Sequence, residues 1–230
     1  DAYYDLLRTD PNRLQEFIDG LTINVSEFFR NPEKFEELER DVFPELFSRF
    51  DTLKIWSAGC SSGAELSSVA IVLDRLEALN RVELIGTDID RGILARASEG
   101  LYHPYELKNV SPGDLAHYFE PVELQGADGG GSYRLKFDLR RRLTYRHQNL
   151  LEDPPLEGCH LILCRNVVIY FTQESKSRLY RDFFSALLPG GMLFIGGTER
   201  ILEYRELGFQ QPRPFFYLRP AGAVVSGGPA

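Results

Sequence analysis

Residues 56–65 read WSAGCSSGAE, a run of small side chains between an apolar stretch and a helical pattern. Glycine and serine at such a strand-to-helix turn let a ligand touch the main chain, and the helix that follows adds unpaired N–H groups. Gly59 is counted among the residues that meet that ligand. Asp88 ends the next apolar run, VELIGTDI, where a carboxylate accepts two hydrogen bonds from ribose hydroxyls in a Rossmann-like site. The loop is not G-x-G-x-x-G, and the Gly-Lys-Ser of a P-loop is missing, so phosphate has no dedicated lysine. A ligand with adenosine but no phosphate, S-adenosylmethionine, suits these residues best. Asn149 in HQNLL is placed to hold an adenine edge, and Asn166 in CRNVVIYF ends the strongest apolar strand, at the edge where open α/β sheets bind ligands. Each asparagine also reads as an ordinary turn or cap residue.

The elements that must position these residues alternate. LKIWSAG (53–59) reads as a strand before a helix over 64–79, and VELIGTDI (82–89) as a strand before a helix over 91–98. The apolar run 160–170 is followed by a helix over 173–188, a Pro189-Gly190-Gly191 break, the strand MLFIGG and a last strand, PFFYL. Strand and helix in alternation argue for a parallel sheet covered on both faces. Ahead of it, Asp10-Pro11 opens one helix and Asn31-Pro32 caps a second that runs to Arg49. Between the second strand–helix unit and residue 160 lies an insertion: a helix capped by Ser111, then EPVEL, YRLKFDL and LTYRHQ, read as a small antiparallel flap with a Gly-rich loop at 126–131. The tail after 218 is expected to fray.

With 230 residues, 43% of them hydrophobic, the chain can bury a full core, and no apolar run reaches the roughly 20 residues of a membrane span. A soluble cytoplasmic monomer is expected, although a chain opening on Asp1 inside a helical pattern reads as part of a longer protein. The net charge of −8 argues against nucleic-acid binding. Cys60, Cys159 and Cys164 have no metal or disulfide spacing and read as buried thiols, and no metal is expected. One stretch runs against the acidic balance: Arg134, Lys136, Arg140, Arg141, Arg142 and Arg146, either a solvated face or a docking surface for an acidic partner.

The blocks LTINVSEFFR, WSAGCSSGAE, GTDID, HQNLL, CRNVVIYF and LPGGMLFIGGTER stand in the order and approximate spacing of the chemotaxis receptor methyltransferases. Over residues 10 to 218 the chain resembles this CheR family, most of all its Gram-positive type. The resemblance implies a Rossmann-like class I S-adenosylmethionine-dependent methyltransferase that esterifies glutamate side chains on the cytoplasmic helices of chemoreceptors. It implies a remnant of an N-terminal helical domain and linker over 1–31, a catalytic α/β domain over 32–218 with a β-subdomain inserted at about 111–148, and a flexible tail over 219–230. By matching motif, Asn24, Ser26 and Arg30 belong to the segment that crosses the cofactor. Glu65 matches the second acid of the family's G-E-E-P-Y-S, Asp88 the ribose carboxylate, and Asn149 with Leu150 the adenine contact. Arg165, Asn166 and Tyr170 match the segment beside the methionine moiety and the transferred methyl. GAELSS departs from the family pattern by one acid, the proline and the tyrosine.

A glutamate carboxylate is ionised at neutral pH, so methyl transfer to it needs no general base, in keeping with a chain that offers no His–acid pair at the site. The protein must supply alignment and removal of water. Arg30 has the planar fork to hold the acceptor carboxylate, and Tyr170 offers a hydroxyl and a ring face near a sulfonium. Arg140, Arg141 and Arg142 would dock the carboxylate-rich receptor helices. His147 and His160 read as structural. Two alternatives stand: a non-catalytic S-adenosylmethionine-binding docking module, and the same chemistry in a signalling array outside chemotaxis.

Overall fold

The structure, a computed structural model, describes residues 26–122 and 132–222. The expected helix from Asp10, the Gly-rich loop and Asn24 lie outside the described residues, as does the side chain of Tyr170.

Every second residue of the central strands faces the same way, and both faces are buried. In β1 (Leu53–Ala58) and β7 (Cys159–Cys164), Ile55, Leu161 and Leu163 pack toward α3 (Ala64–Arg75). Trp56, Ile162 and Cys164 pack toward the helix Gln173–Ala186 on the other face. Each such leucine or isoleucine contributes roughly 1.5–3 kcal/mol by leaving water. The main sheet has seven strands in the order β6-β2-β1-β7-β8-β10-β9, with β2 spanning Val82–Asp88, β6 Leu143–His147, β8 Leu187–Ile195, β9 Gln210–Arg213 and β10 Phe216–Leu218. The first five are parallel, and β10 runs antiparallel to both β8 and β9. Strand order reverses between β1 and β7, so their carboxyl ends open a crevice suited to a ligand.

Gly63, at φ 78, precedes α3, whose residues from Leu66 to Leu73 are all buried because sheet, linker and insertion surround it. Asp90 caps α4 (Arg91–Glu99) by accepting from the Ile93 N–H at 2.9 Å. The linker continues into α1 (Pro32–Glu37), a π turn (Leu38–Val42) and α2 (Phe43–Phe47), which bury Phe35, Leu38, Val42, Phe43 and Leu46. The insertion forms a three-stranded sheet, β3 (Leu101–Tyr102), β5 (Ser132–Leu135) and β4 (Phe119–Val122) in that order, with α5 (Pro112–Tyr118) and α6 (Phe137–Arg140). The last helix is α7 (Gln173–Ala186), capped by Thr172.

Three expectations are corrected. LTYRHQ forms β6 and pairs in parallel with β2, from Leu84↔Leu143 to Asp88↔His147, so it belongs to the main sheet and not to the antiparallel flap. Pro189-Gly190-Gly191 lies inside β8, where the register with β7 shifts, and does not separate helix from strand. A Cβ on Gly191 would meet the Leu188 carbonyl oxygen at 2.9 Å, which is why this bulge takes glycine. Asn31 does not cap α1 with its side chain; it sits at φ 63, and its side-chain oxygen accepts from Arg165. Among the described residues, no helix is long and apolar enough to cross a membrane.

Candidate active site

The carboxyl end of β1 is drawn tightly onto β2. The Gly59 and Cys60 N–H groups donate to the Thr87 carbonyl at 2.8 and 2.9 Å, and Trp56 Nε1 donates to Thr87 Oγ1 at 2.8 Å. Gly59 has φ +76, and a Cβ there would reach Val167 Cγ2 at 2.5 Å, so only glycine fits. Ser61 N–H donates to Asp88 Oδ2 at 2.8 Å and Asp90 N–H to Oδ1 at 3.1 Å. Burial raises the pKa of the Asp88 carboxyl, and these backbone donors pull it back part of the way. The Asp88 carbonyl accepts from Gln148 N–H at 2.9 Å, and the buried Gln148 side chain donates to the Pro154 carbonyl at 2.8 Å. Asn149 follows as an Asx turn, its Oδ1 accepting from Leu151 N–H at 3.0 Å, with Leu150 packed against the α7-side core. Gly59, Asp88, Asn149 and Leu150 are thus brought to one edge of the sheet.

Around β7 and β8 the site is built differently. Arg165, 8% exposed, donates from Nη1 to Glu65 Oε2 at 3.2 Å, and from Nη2 to the Arg30 carbonyl at 2.7 Å and Asn31 Oδ1 at 2.8 Å. Its guanidinium lies over the Phe194 ring at 4.7 Å and the Phe35 ring at 5.6 Å. Glu65 Oε1 accepts from Ser57 Oγ at 2.8 Å. The pair therefore fastens the linker to the sheet, and Arg165 acts through Glu65, Arg30 and Asn31. Phe29 (φ 50) and Asn31 (φ 63) both carry left-handed backbone, a strained strap held also by Ser68 Oγ, which accepts from Phe29 N–H at 2.9 Å. Phe28 is fully buried, edge-on to Tyr102 and Phe119 of the insertion. Ser26 and Arg30 are half-buried on this strap.

The departures in GAELSS have structural work here. Ser67 Oγ lies 3.1 Å from Tyr102 Oη and Ser68 binds the strap, while Ala64 and Leu66 are fully buried. Glu106, 2% exposed, accepts from Ser62 Oγ and from His103 N–H, both at 2.9 Å, and pairs with Arg96, tying the loop to the insertion.

A cavity of about 400 Å³ opens beside Asn166 at the carboxyl ends of β7 and β8. Arg30, Lys34, Arg165, Asn166, Ile195 and Thr198 are among its lining, with Glu33 as its single acid and no histidine among the described residues. Arg30 forms no ion pair with Glu33 or Glu36 among the described residues. The backbone of Tyr170 lies in the 3-10 turn Val168–Tyr170, just past Asn166. Asn166 itself is left-handed, at φ 60.

Arg140, Arg141 and Arg142 are not brought to this edge. They precede Leu143, at the amino end of β6, about 15 Å of strand away from the level of Asp88. Arg140 donates to the Glu99 carbonyl at 2.8 Å and Arg142 to Asn80 Oδ1 at 2.6 Å, while Arg141 stands exposed beside Asp138. The thiols are core groups: burial pushes Cys159 up to about 12 and Cys60 and Cys164 well above the ordinary value. His160 is structural, its Nδ1 accepting from Lys54 N–H at 2.8 Å.

Sequence reasoning missed Glu199, Glu106, Gln148 and the inward role of Asn31. Glu199 had a signal, an acid inside the GGTER block beside a strand end. The residues present fit S-adenosylmethionine: a desolvated acid ends β2, the Ser61 N–H of the turn meets its carboxylate, and the Ser57–Glu65 turn holds no cation for phosphate.

Residues 24–212 match the family described as CheR methyltransferase, SAM binding domain. The chemotaxis protein methyltransferases of Listeria innocua and Listeria monocytogenes are each 37% identical over 219 residues, covering 94% of this chain and 80% of theirs. Chemotaxis protein methyltransferase 1 of Pseudomonas aeruginosa is 34% identical over 206 residues, covering 85% of this chain and 73% of its own. With that match over most of its length and a parallel sheet in this strand order, the chain belongs to the CheR methyltransferase family and carries its S-adenosylmethionine-binding α/β domain.

Proposed function

We propose that this protein is a protein-glutamate O-methyltransferase of chemotaxis, esterifying glutamates on the cytoplasmic helices of chemoreceptors. The observation that carries the reading is the cation-lined cavity beside Asn166, with Arg30 on its wall and no histidine in it. A carboxylate acceptor needs charge complementarity and no base, because it is ionised well below neutral pH. Bound S-adenosylmethionine supplies an electrophilic methyl on a sulfonium. Asp88 and the main chain of the Gly59–Ser61 turn would hold the adenosine end. Arg30 draws the acceptor carboxylate into the cavity, where its fork fixes the carboxylate's direction and leaves a lone pair free to attack, while Lys34 is held by Glu37 at 2.7 Å. Arg165 and Glu65 fix the strap that carries Arg30, and alignment of this kind is the main source of rate. Acceptor recognition is assigned to this cavity rather than to Arg140–Arg142.

The test is transfer of radiolabelled methyl from S-adenosylmethionine to a receptor cytoplasmic fragment, followed by alkali. A carboxyl methyl ester releases volatile methanol. Alkali-stable label would move the acceptor to another group, and S-adenosylmethionine binding without transfer to any receptor fragment would favour the docking-module alternative.

A further inference from the structure

β7 and β8 part company after the pair Cys164↔Ile195, and the N–H groups just beyond lose their ladder partners. A single carboxylate replaces them. Glu199 Oε2 accepts from Gly196 N–H at 2.7 Å and from Asn166 N–H at 3.1 Å. Glu199 N–H donates back to the Gly196 carbonyl at 3.0 Å, closing a tight turn. A Cβ on Gly196 would lie 2.7 Å from Glu199 Oε2 and 2.9 Å from Asn166 N, so glycine is what lets the two strand ends reach one oxygen. Four residues this arrangement fixes, Asn166, Ile195, Gly197 and Thr198, line the acceptor cavity.

The acid is an expensive way to hold a turn. Glu199 is 4% exposed, and its second oxygen, Oε1, is buried without a hydrogen bond of ordinary geometry, although the Val168 N–H also favours the ionised carboxyl. A neutral asparagine or serine would satisfy backbone donors at lower desolvation cost. What a carboxylate adds is stronger, shorter bonds to both N–H groups and therefore a stiffer loop.

We propose that Glu199 is a positioning residue for methyl transfer: it holds the left-handed Asn166 and the β8 end in the one geometry that aligns acceptor and methyl. This rests on the functional reading above. Burial raises the pKa of the Glu199 carboxyl, so its ionised form is lost at a higher pH than an exposed glutamate's. The charged and titratable groups that feel it are Arg165 and Cys164 from the β7 side and Tyr180 from α7.

The experiment compares the unsubstituted protein with Glu199→Gln, which keeps the shape and one acceptor oxygen. Readouts are methyl transfer to a receptor fragment, cofactor KM, thermal unfolding, and amide exchange at Asn166 and Gly196. The expected result is a kcat lower by about tenfold or more with cofactor KM within about threefold and Tm nearly unchanged. Exchange at the two amides should quicken, and an acid limb in the kcat profile of the unsubstituted protein should disappear. Unchanged kcat, unchanged exchange, or a kcat that falls only in step with Tm overturns the proposal. A fall in rate that excess S-adenosylmethionine restores, which is a change in cofactor KM with kcat intact, overturns it too. If the unsubstituted protein transfers no methyl, the functional reading fails instead, and amide exchange still decides whether Glu199 holds the turn.

Discussion

The two halves of the crevice are made by different means. At β1 and β2 the site is main chain: N–H groups donate across one strand gap to Thr87 and Asp88, and Gly59 turns the backbone through a left-handed conformation against Val167. At β7 and β8 it is side chain: Arg165 reaches residues 134 and 135 positions away, and Glu199 reaches one 33 away. A half built from backbone geometry is set once the sheet forms. A half built from long-range side-chain bonds is set only when linker, α3 and β8 have all arrived.

The sharpest way to break that contrast is Arg165→Met. Removing the cation leaves the half-buried Glu65 without its partner and the strap untied, a cost of about 3 kcal/mol. For a chain of this size that is a fall in Tm of about 10 °C. Faster amide exchange should appear at residues 28–31 and not at Gly59–Ser61; equal exchange in both would dissolve the distinction between the halves.

Gly59→Ala tests where the halves touch. The left-handed backbone costs about 1–2 kcal/mol, and the new methyl collides with Val167 of the other half. S-adenosylmethionine affinity, read by calorimetry, should drop by about tenfold or more, with partial recovery in Gly59→Ala/Val167→Ala. No recovery would locate the damage in the backbone alone.

Asp88→Asn should weaken S-adenosylmethionine binding by about tenfold, because one charged acceptor becomes neutral. Its effect on stability has a pH sign. A carboxyl whose folded pKa is raised contributes stability that is full below its unfolded pKa and lost as pH rises through the folded value. Asp88→Asn lacks that loss, so the stability of the variant relative to the unsubstituted protein should improve as pH climbs from acid to neutral. A flat difference in chemical-denaturation curves would count against burial as the cause. The smallest effect belongs to Arg141→Ala, within about 0.5 kcal/mol by the same curves and without change in cofactor affinity, since the side chain is exposed at the far end of the sheet.

The same contrast explains what could be read from the sequence. β1, β2, β7, α3 and α7 announced themselves because apolar period and glycine turns are local signals, and Gly59 and Asp88 came with them. LTYRHQ alternates as any half-buried strand does, and nothing in five residues says whether the partner runs parallel or antiparallel. QQPR was invisible because β9 is a polar edge strand. Glu199 and Glu106 escaped because a buried acid is explained by its donors, and those lie elsewhere in the chain. The asparagine before Pro32 read as a cap for the same reason: its real partner, Arg165, is remote.

The strap also has a history in time. Its bonds close loops of 39 residues to Ser68 and 134 to Arg165, and closing long loops is entropically the late part of folding. Phe28 to Asn31 are expected to dock onto a sheet that is already native in circular dichroism. After dilution from denaturant, competence to transfer methyl groups should lag behind recovery of the sheet, and substitutions in the strap should quicken unfolding while leaving the refolding rate of the sheet untouched.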